Sequence, residues 1–319
     1  ACSADAGVSE IGLSFLSVGD PGNPAYQDDR FHTYAINGRG SVGYEFRITR
    51  SEISTADYLE FYSTFSTVSD ELEREINPLF FAGTRPDLFY NGPGEIRTLR
   101  QDIPDAGLVP ITARRHQGLM YANWLHNGKS SNVEDLYRGA YDFDPLTGAP
   151  PDTHEPDARY WLPTVDEYLK AAHYDPDKGG EGPGWWQYAH GSDAPPLPGL
   201  PGDGGEMPWG VPHEDIVDHF GVNLYLIPLG AYGDVVSHYG LTDLITGEGE
   251  LLGDVELVYS IDAMNDIIGP EWWYFANGDE PLRYQGLGSA PGSFRIVTTI
   301  PAPGAASVVC GGVALASRK

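Results

Sequence analysis

The sequence predicts an α+β fold that is loop-rich, with few short helices and strands. Three segments repeat apolar residues at helical spacing, and several short segments have the composition of strands. Glycine (40 residues) and proline (26 residues) are abundant, which predicts long connecting loops. No fixed period recurs along the 319 residues, so we expect one domain over residues 1–298, followed by a tail over residues 299–319.

Composition and charge exclude several functional classes. With 41% hydrophobic residues the chain can build a sizeable core, which excludes full disorder. The net charge of −27 would repel phosphate backbones and anionic bilayers, so nucleic acid is not an expected partner. The same acidity suits a secreted protein or one that binds cations. No apolar run reaches the roughly 18 residues that cross a bilayer, so no stable membrane span is expected.

The cysteines limit the covalent chemistry. Cys2 and Cys310 are the two cysteines of the sequence, which excludes a disulfide-dense scaffold and a four-cysteine zinc site. A Cys2–Cys310 disulfide, a lipidated Cys2 and two inert thiols all remain open. The sequence starts without methionine, so removal of an export leader is an expectation.

The first helix is predicted from its start signal. Residues 44–48 alternate like a half-buried strand, and Ser54 and Asp57 then have the spacing of a capping box. Tyr58, Leu59, Tyr62 and Phe65 follow at helical spacing. A helix over residues 55–66 is therefore expected.

Two more helices and three strands complete the predicted elements. Apolar spacing predicts a helix over residues 116–126, ended by Asn127 and Gly128. Thr164 and Glu167 form a second capping box, which predicts a helix over residues 164–172. Residues 175–215 are expected to form long loops, and strands are expected at residues 222–229, 255–261 and 294–299.

Five segments, in order, resemble the formylglycine-generating-enzyme (sulfatase-modifying-factor) family. They are residues 44–61 (YEFRITRSEISTADYLEF), 118–125 (GLMYANWL), 161–172 (WLPTVDEYLKAA), 228–244 (with PLGAY and YGLTDL) and 293–297 (SFRIV). The resemblance covers about residues 16–298 and implies the C-type-lectin-like mixed fold of that family.

The sequence departs from that family at its redox site. Family oxidases bind copper through a cysteine pair, and this chain has no cysteine between Ser3 and Val309. A thiolate is both the nucleophile and the soft copper ligand, so neither copper nor the oxidase activity is expected. Other catalytic motifs, such as a G-x-S-x-G nucleophile elbow or a phosphate-binding glycine loop, are absent from the sequence.

Three acidic segments are candidate calcium sites, because hard cations bind several carboxylate and carbonyl oxygens. In the family a G-N-V-W-E-W turn helps to bind calcium, and here residues 246–251 read TGEGEL. Plain solvated acidic loops are the alternative for all three segments. The candidate ligands are Asp243, Glu248 and Glu250, Asp142 and Asp144, and Asp175 and Asp177. Histidines and carboxylates in residues 213–219 offer a weaker zinc alternative, because their spacing differs from H-E-x-x-H.

Paired aromatic residues in loop-rich segments are candidate contacts for a sugar or a protein partner. They are Trp185 and Trp186, and Trp272, Trp273 and Tyr274. Packing in the core is the alternative for both groups.

The C-terminal tail resembles the PEP-CTERM-type sorting tail of exported bacterial proteins. It has a P-A-P-G motif at residues 301–304, an apolar segment at 305–316 and a basic end at Arg318 and Lys319. The resemblance implies a surface protein of a Gram-negative-type bacterium, linked to exopolysaccharide. We expect the tail to add a strand to an adjacent copy, with packing on its own domain as the alternative.

Together these features predict an exported, non-catalytic surface or matrix protein, a structural or adhesive subunit that assembles with other copies of itself. Filaments are one form that such an assembly can take. Carbohydrate binding, with cell-surface polysaccharide as the partner, and an enzyme of another chemistry are the alternatives. Calcium is the expected cofactor.

Overall fold

The computed structural model of the chain describes residues 8–27, 37–85, 96–178, 184–208, 226–244, 250–253 and 292–300. These residues form a mixed fold with few short helices and strands, which confirms the α+β prediction. The helices are α1 (Thr55–Phe65), α2 (Asp70–Ile76), α3 (Arg115–His126) and α4 (Val165–His173). The strands are β1 (Val8–Glu10), β2 (Leu13–Val18), β3 (Phe46–Thr49), β4 (Thr84–Arg85), β5 (Thr98–Leu99), β6 (Tyr160–Trp161), β7 (Glu250–Leu251), β8 (Ser293–Phe294) and β9 (Val297–Thr299).

Five of the strands form an antiparallel sheet in the order β1-β2-β3-β9-β6. β3 corresponds to the strand predicted at residues 44–48, but the expected half-buried alternation is wrong, because all four of its side chains are buried. The strand predicted at 294–299 is divided into β8 and β9. β9 lies between β3 and β6, which places Val297 opposite both Ile48 and Trp161. Its last residue, Thr299, is one beyond the expected domain limit.

The predicted helices are confirmed, and local signals account for their starts. In α1 the Ser54 hydroxyl accepts from the Asp57 amide at 3.2 Å, and the Asp57 carboxylate accepts from the Ser54 amide at 3.3 Å. In α4 the Thr164 hydroxyl accepts from the Glu167 amide at 3.2 Å, and the Glu167 carboxylate accepts from the Thr164 amide at 2.8 Å. Asn127 caps the C-terminus of α3, and Gly128 follows it with a positive φ of 69°.

The structure also departs from the predicted elements. α2, which begins after the N-cap Ser69, was not predicted. Within the strand expected at 222–229, the described residues 226–229 form turns and irregular chain, so that part of the prediction is wrong. The strand expected at 255–261 lies outside the described residues. The described parts of 175–215 contain isolated bridges but no helix or longer strand, as expected for loops.

An aromatic core joins the helices to the sheet region. Tyr58 of α1 stacks on Tyr121 of α3 with ring centroids 5.8 Å apart, and Tyr121 meets Phe294 of β8 at 5.5 Å. Phe61 and Trp124 extend this contact at 5.5 Å. Because aromatic side chains bury large apolar areas, α1, α3 and β8 form one packed unit.

Candidate metal centre

Two acidic residues and one histidine bring their ligand atoms together at the end of α4. Atoms of Asp175, Asp177 and His238 lie within 4.8 Å of one another, and we refer to these residues as the Asp175 cluster. His238 Nδ1 lies 2.9 Å from Asp175 Oδ1. The Asp177 amide donates to the same oxygen at 2.8 Å, so Asp175 organises the loop around its own carboxylate.

Backbone pairing after α4 positions Asp175. Tyr174 caps α4 in an extended conformation and pairs with Trp185 as an isolated bridge. The Asp175 amide donates to the Gly184 carbonyl at 2.6 Å, and the Trp186 amide donates to the His173 carbonyl at 2.8 Å. The two chain segments on either side of residues 179–183 are therefore held side by side.

Trp186 and Lys178 form the wall of the cluster. The Trp186 indole donates to Asp175 Oδ2 at 3.0 Å. The Lys178 ammonium lies 4.2 Å from a ring centroid of the same indole. Lys178 also donates to the Trp185 carbonyl at 2.6 Å and to Asp193 at 2.9 Å. A cation held against an indole by these contacts fixes the ring in place.

Tyrosine hydroxyls line the buried side. The Tyr239 hydroxyl is buried and has no hydrogen-bond partner within the described parts of the chain. Burial raises the pKa of Tyr239, and the charges of Asp20, Asp175 and Asp177 raise it further. The Tyr174 hydroxyl donates to Asp20 Oδ2 at 2.7 Å, and burial together with this bond raises the pKa of Tyr174 to about 12. Both phenol groups are therefore protonated at physiological pH, and each presents a neutral hydroxyl oxygen.

The cluster combines two predicted candidate ligands with a third candidate that the sequence did not indicate. Asp175 and Asp177 were predicted, whereas His238 arrives from a distant loop that carries no metal-binding motif. Carboxylates and an imidazole together suit manganese or zinc better than calcium, which prefers six to eight oxygen ligands.

The structure places Asp142 and Asp144 in an exposed loop. Asp142 Oδ1 accepts from the Gly139 amide at 3.1 Å. Asp144 Oδ1 accepts from the Leu146 and Thr147 amides at 2.7 and 2.9 Å, and these bonds, that of Thr147 foremost, lower the pKa of Asp144. Both carboxylates shape turns in their own loop, and no described histidine, cysteine or acidic residue gathers with them as in the Asp175 cluster.

Asp243 and Glu250 do come together, but around an arginine. Arg295 is fully buried, its guanidinium binds Glu250 through Nε, and it donates to the Thr242 carbonyl at 2.7 Å. Asp243 accepts from the Gly230 amide at 2.8 Å. We refer to Glu52, Asp243, Glu250 and Arg295 as the Arg295 cluster. A guanidinium at its centre supplies the positive charge that a calcium ion would supply.

Three carboxylates surround this single guanidinium. Burial raises the pKa of Glu52 well above its usual range, and the charge of Glu250 raises it further. Burial likewise raises the pKa of Glu250 and of Asp243, against the lowering effect of Arg295. Glu52 Oε2 and Glu250 Oε2 are buried without a hydrogen-bond partner among the described residues.

The aromatic candidates separate into core and site. Trp185 is 2% exposed and packs edge-on against Tyr26 and Tyr174, so it belongs to the core. Trp186 is half-buried and borders the Asp175 cluster. The remaining predicted residues lie outside the described parts of the chain; they are Glu248, Trp272, Trp273, Tyr274, both cysteines, the histidines of residues 213–219 and the tail from residue 301.

Comparisons with known proteins assign no family to this chain. No protein-family model matches the sequence, and neither a curated protein nor a solved structure matches it. None of the helices in the described ranges is long and apolar enough to cross a membrane.

Proposed function

We propose that this chain is an exported, non-catalytic structural protein of the cell surface or matrix, which binds a divalent metal at the Asp175 cluster and assembles with other copies of itself. The observation that carries the metal site is the convergence of Asp175, Asp177 and His238 within 4.8 Å. The non-catalytic part rests on the sequence, which has no cysteine between Ser3 and Val309 for copper chemistry.

The surroundings of the cluster support a metal ligand set. Asp175 and His238 are partly shielded, with side-chain exposures of 13% and 21%, so a bound ion would lose only part of its hydration shell. A metal ion bound by both Asp175 Oδ1 and His238 Nδ1 would replace the direct contact between these two atoms. The net charge of −27 also concentrates cations at the surface.

Isothermal titration with manganese, zinc and calcium chloride tests the site. We expect manganese or zinc to bind more tightly than calcium, and Asp177→Asn and His238→Ala each to weaken binding by about tenfold or more. Asp142→Asn is the matched control, since it removes one charge from an exposed acidic loop outside the cluster. Equal affinities for Asp177→Asn and Asp142→Asn would contradict the site.

Mass photometry and negative-stain microscopy test the assembly, each with and without EDTA. We expect ordered polymers in the presence of the metal and dissociation on chelation, with Asp177→Asn resembling the chelated sample. A monodisperse monomer in both conditions would overturn self-assembly, while titration would still report the metal site separately.

Carbohydrate binding is a second candidate function, favoured by the position of Trp186. Its half-buried indole borders the Asp175 cluster, so an aromatic side chain would lie beside a bound metal, an arrangement that offers a sugar both a stacking surface and an ion for its hydroxyls. Glycan-array binding that needs the metal and is lost in Trp186→Ala would support this function. Binding that survives that substitution would place sugar recognition elsewhere.

A further inference from the structure

The peptide bond between Asp20 and Pro21 combines three features that weaken it. Asp20 has a φ of 58°, in the left-handed region that non-glycine residues rarely adopt. A following proline restricts the backbone of Asp20 further. Proline is also a tertiary amide whose nitrogen leaves more readily than that of an ordinary peptide once it is protonated.

A buried lysine binds the carbonyl of this bond. The Lys170 ammonium donates to the Asp20 carbonyl oxygen at 2.8 Å, and Lys170 is fully buried in α4. An ammonium at this position withdraws electron density from the carbonyl carbon and stabilises negative charge that develops on the oxygen. The Tyr174 hydroxyl donates to Asp20 Oδ2 at 2.7 Å. The other oxygen of this carboxylate, Oδ1, is not engaged by that hydrogen bond.

We propose that the folded protein cleaves its own chain between Asp20 and Pro21. Asp20 Oδ1 attacks the Asp20 carbonyl carbon and forms a five-membered cyclic anhydride, while the bond from that carbon to the Pro21 nitrogen breaks. The electron pair of this bond stays on nitrogen, which takes a proton from Lys170. Water then opens the anhydride to two carboxylates and releases two protons, one of which returns to Lys170 while the other protonates the Pro21 amine.

The fold retains both products after cleavage. Residues 1–20 include β2, which pairs with β3 from Phe15 opposite Thr49 to Val18 opposite Phe46. Phe15, Leu16 and Val18 are buried in the core. The shorter fragment therefore stays bound to the rest of the protein and separates only on denaturation.

The chain contains its own controls for simple acid lability. Two other Asp–Pro bonds occur in the sequence, Asp144–Pro145 and Asp175–Pro176. Neither aspartate has a positive φ. Their carbonyls accept from the Gly148 and Lys178 amides, whereas the Asp20 carbonyl accepts from the Lys170 ammonium in addition to the Asn23 amide at 3.3 Å. Backbone strain of the kind at Asp20 corresponds to about tenfold in rate, so Asp20–Pro21 is expected to break at least that much faster.

The experiment incubates the purified full chain at 37 °C and near-neutral pH for several days, then measures intact mass after denaturation. We expect fragments 1–20 and 21–319, the longer one beginning with Pro21, and no comparable cleavage at the other two bonds. Incubation in urea should bring the rate at Asp20–Pro21 down to theirs. Hydroxylamine should trap the anhydride as a hydroxamate at Asp20, which a contaminating protease would not produce.

Variants assign the roles. Asp20→Ala should abolish cleavage, and Asp20→Glu, which keeps the charge but needs a six-membered ring, should slow it. Lys170→Met should slow it about tenfold or more; thermal unfolding confirms that each variant is folded. Equal cleavage at all three Asp–Pro bonds, the same rate in urea, or an intact folded chain would overturn the proposal.

Discussion

Replacing Glu52 with glutamine is expected to stabilise the protein at neutral pH, although the substitution removes a charge from beside an arginine. Glu52, Asp243 and Glu250 are three buried carboxylates that share the single guanidinium of Arg295. The guanidinium binds Glu250 directly, whereas Glu52 Oε2 is buried without a hydrogen-bond partner among the described residues. Burial and the charge of Glu250 raise the pKa of Glu52 well above 4.5.

The sign of the pH dependence follows from this raised pKa. Between its pKa in the unfolded chain, near 4.5, and its higher pKa in the folded protein, Glu52 is protonated only in the folded state. Its contribution to stability is therefore complete below about pH 4.5 and is lost as the pH rises through the folded pKa. Each pKa unit corresponds to about 1.4 kcal/mol, so we expect Glu52→Gln to gain about 1 kcal/mol or more at pH 8 and close to nothing at pH 4.

Glu250→Gln is the matched substitution with the opposite expected sign. It leaves Arg295 buried without its directly bound carboxylate, which costs about 3 kcal/mol or more in proteins. Urea unfolding of both variants and of the unmodified protein at pH 4 and pH 8 measures these differences. Similar losses of stability in both variants at pH 8 would contradict the inference that the Arg295 cluster holds more carboxylates than its guanidinium can stabilise. So would an effect of Glu52→Gln that does not change with pH.

Two further predictions concern local features of α4. Thr164→Ala is expected to lower the free energy of unfolding by about 1 kcal/mol, because the Thr164 hydroxyl accepts from the Glu167 amide at 3.2 Å; a loss below a few tenths in urea unfolding would contradict this. Burial lowers the pKa of His173 to about 4. The stability that the neutral imidazole contributes is therefore complete above pH 6.5 and is lost as the pH falls to about 4. The free energy of unfolding should fall by about 3 kcal/mol over this range. His173→Gln should flatten this part of the melting temperature against pH, and an unchanged profile would refute it.

The helices were predictable because their start signals are local. Each capping box joins residues three apart, so Ser54 with Asp57 and Thr164 with Glu167 define the starts of α1 and α4 without tertiary information. α2 was missed because it has only two turns, although Ser69 and the acidic residues after it were a start signal. Short strands such as β6 were unpredictable, since two residues carry no periodicity.

The candidate metal centre was predictable only in part, because local patterns do not decide which acidic loop meets a histidine. Asp142 and Asp144 have the same alternation with turn residues as Asp175 and Asp177. The difference between the two loops is His238, which reaches Asp175 from a segment far along the chain. Nothing near His238 in the sequence marks it as a candidate ligand, so tertiary structure was needed to bring it to the cluster.

The burial of Arg295 explains how the described part of the chain, where helices and strands are few and short, holds its loops together. Its guanidinium donates to the carbonyls of Arg50 and Thr242 at 2.7 Å each and binds Glu250, so one side chain joins three segments that are distant in the sequence. Asn123 does the same within α3, where its amide donates to the Leu136 and Tyr141 carbonyls at 2.9 and 2.8 Å. Buried backbone groups must be paired, and where strands are two residues long, side chains supply the partners. Substituting such a side chain therefore removes several loop contacts at once, which is why the largest stability losses are expected at Arg295 and its directly bound Glu250 rather than in the sheet.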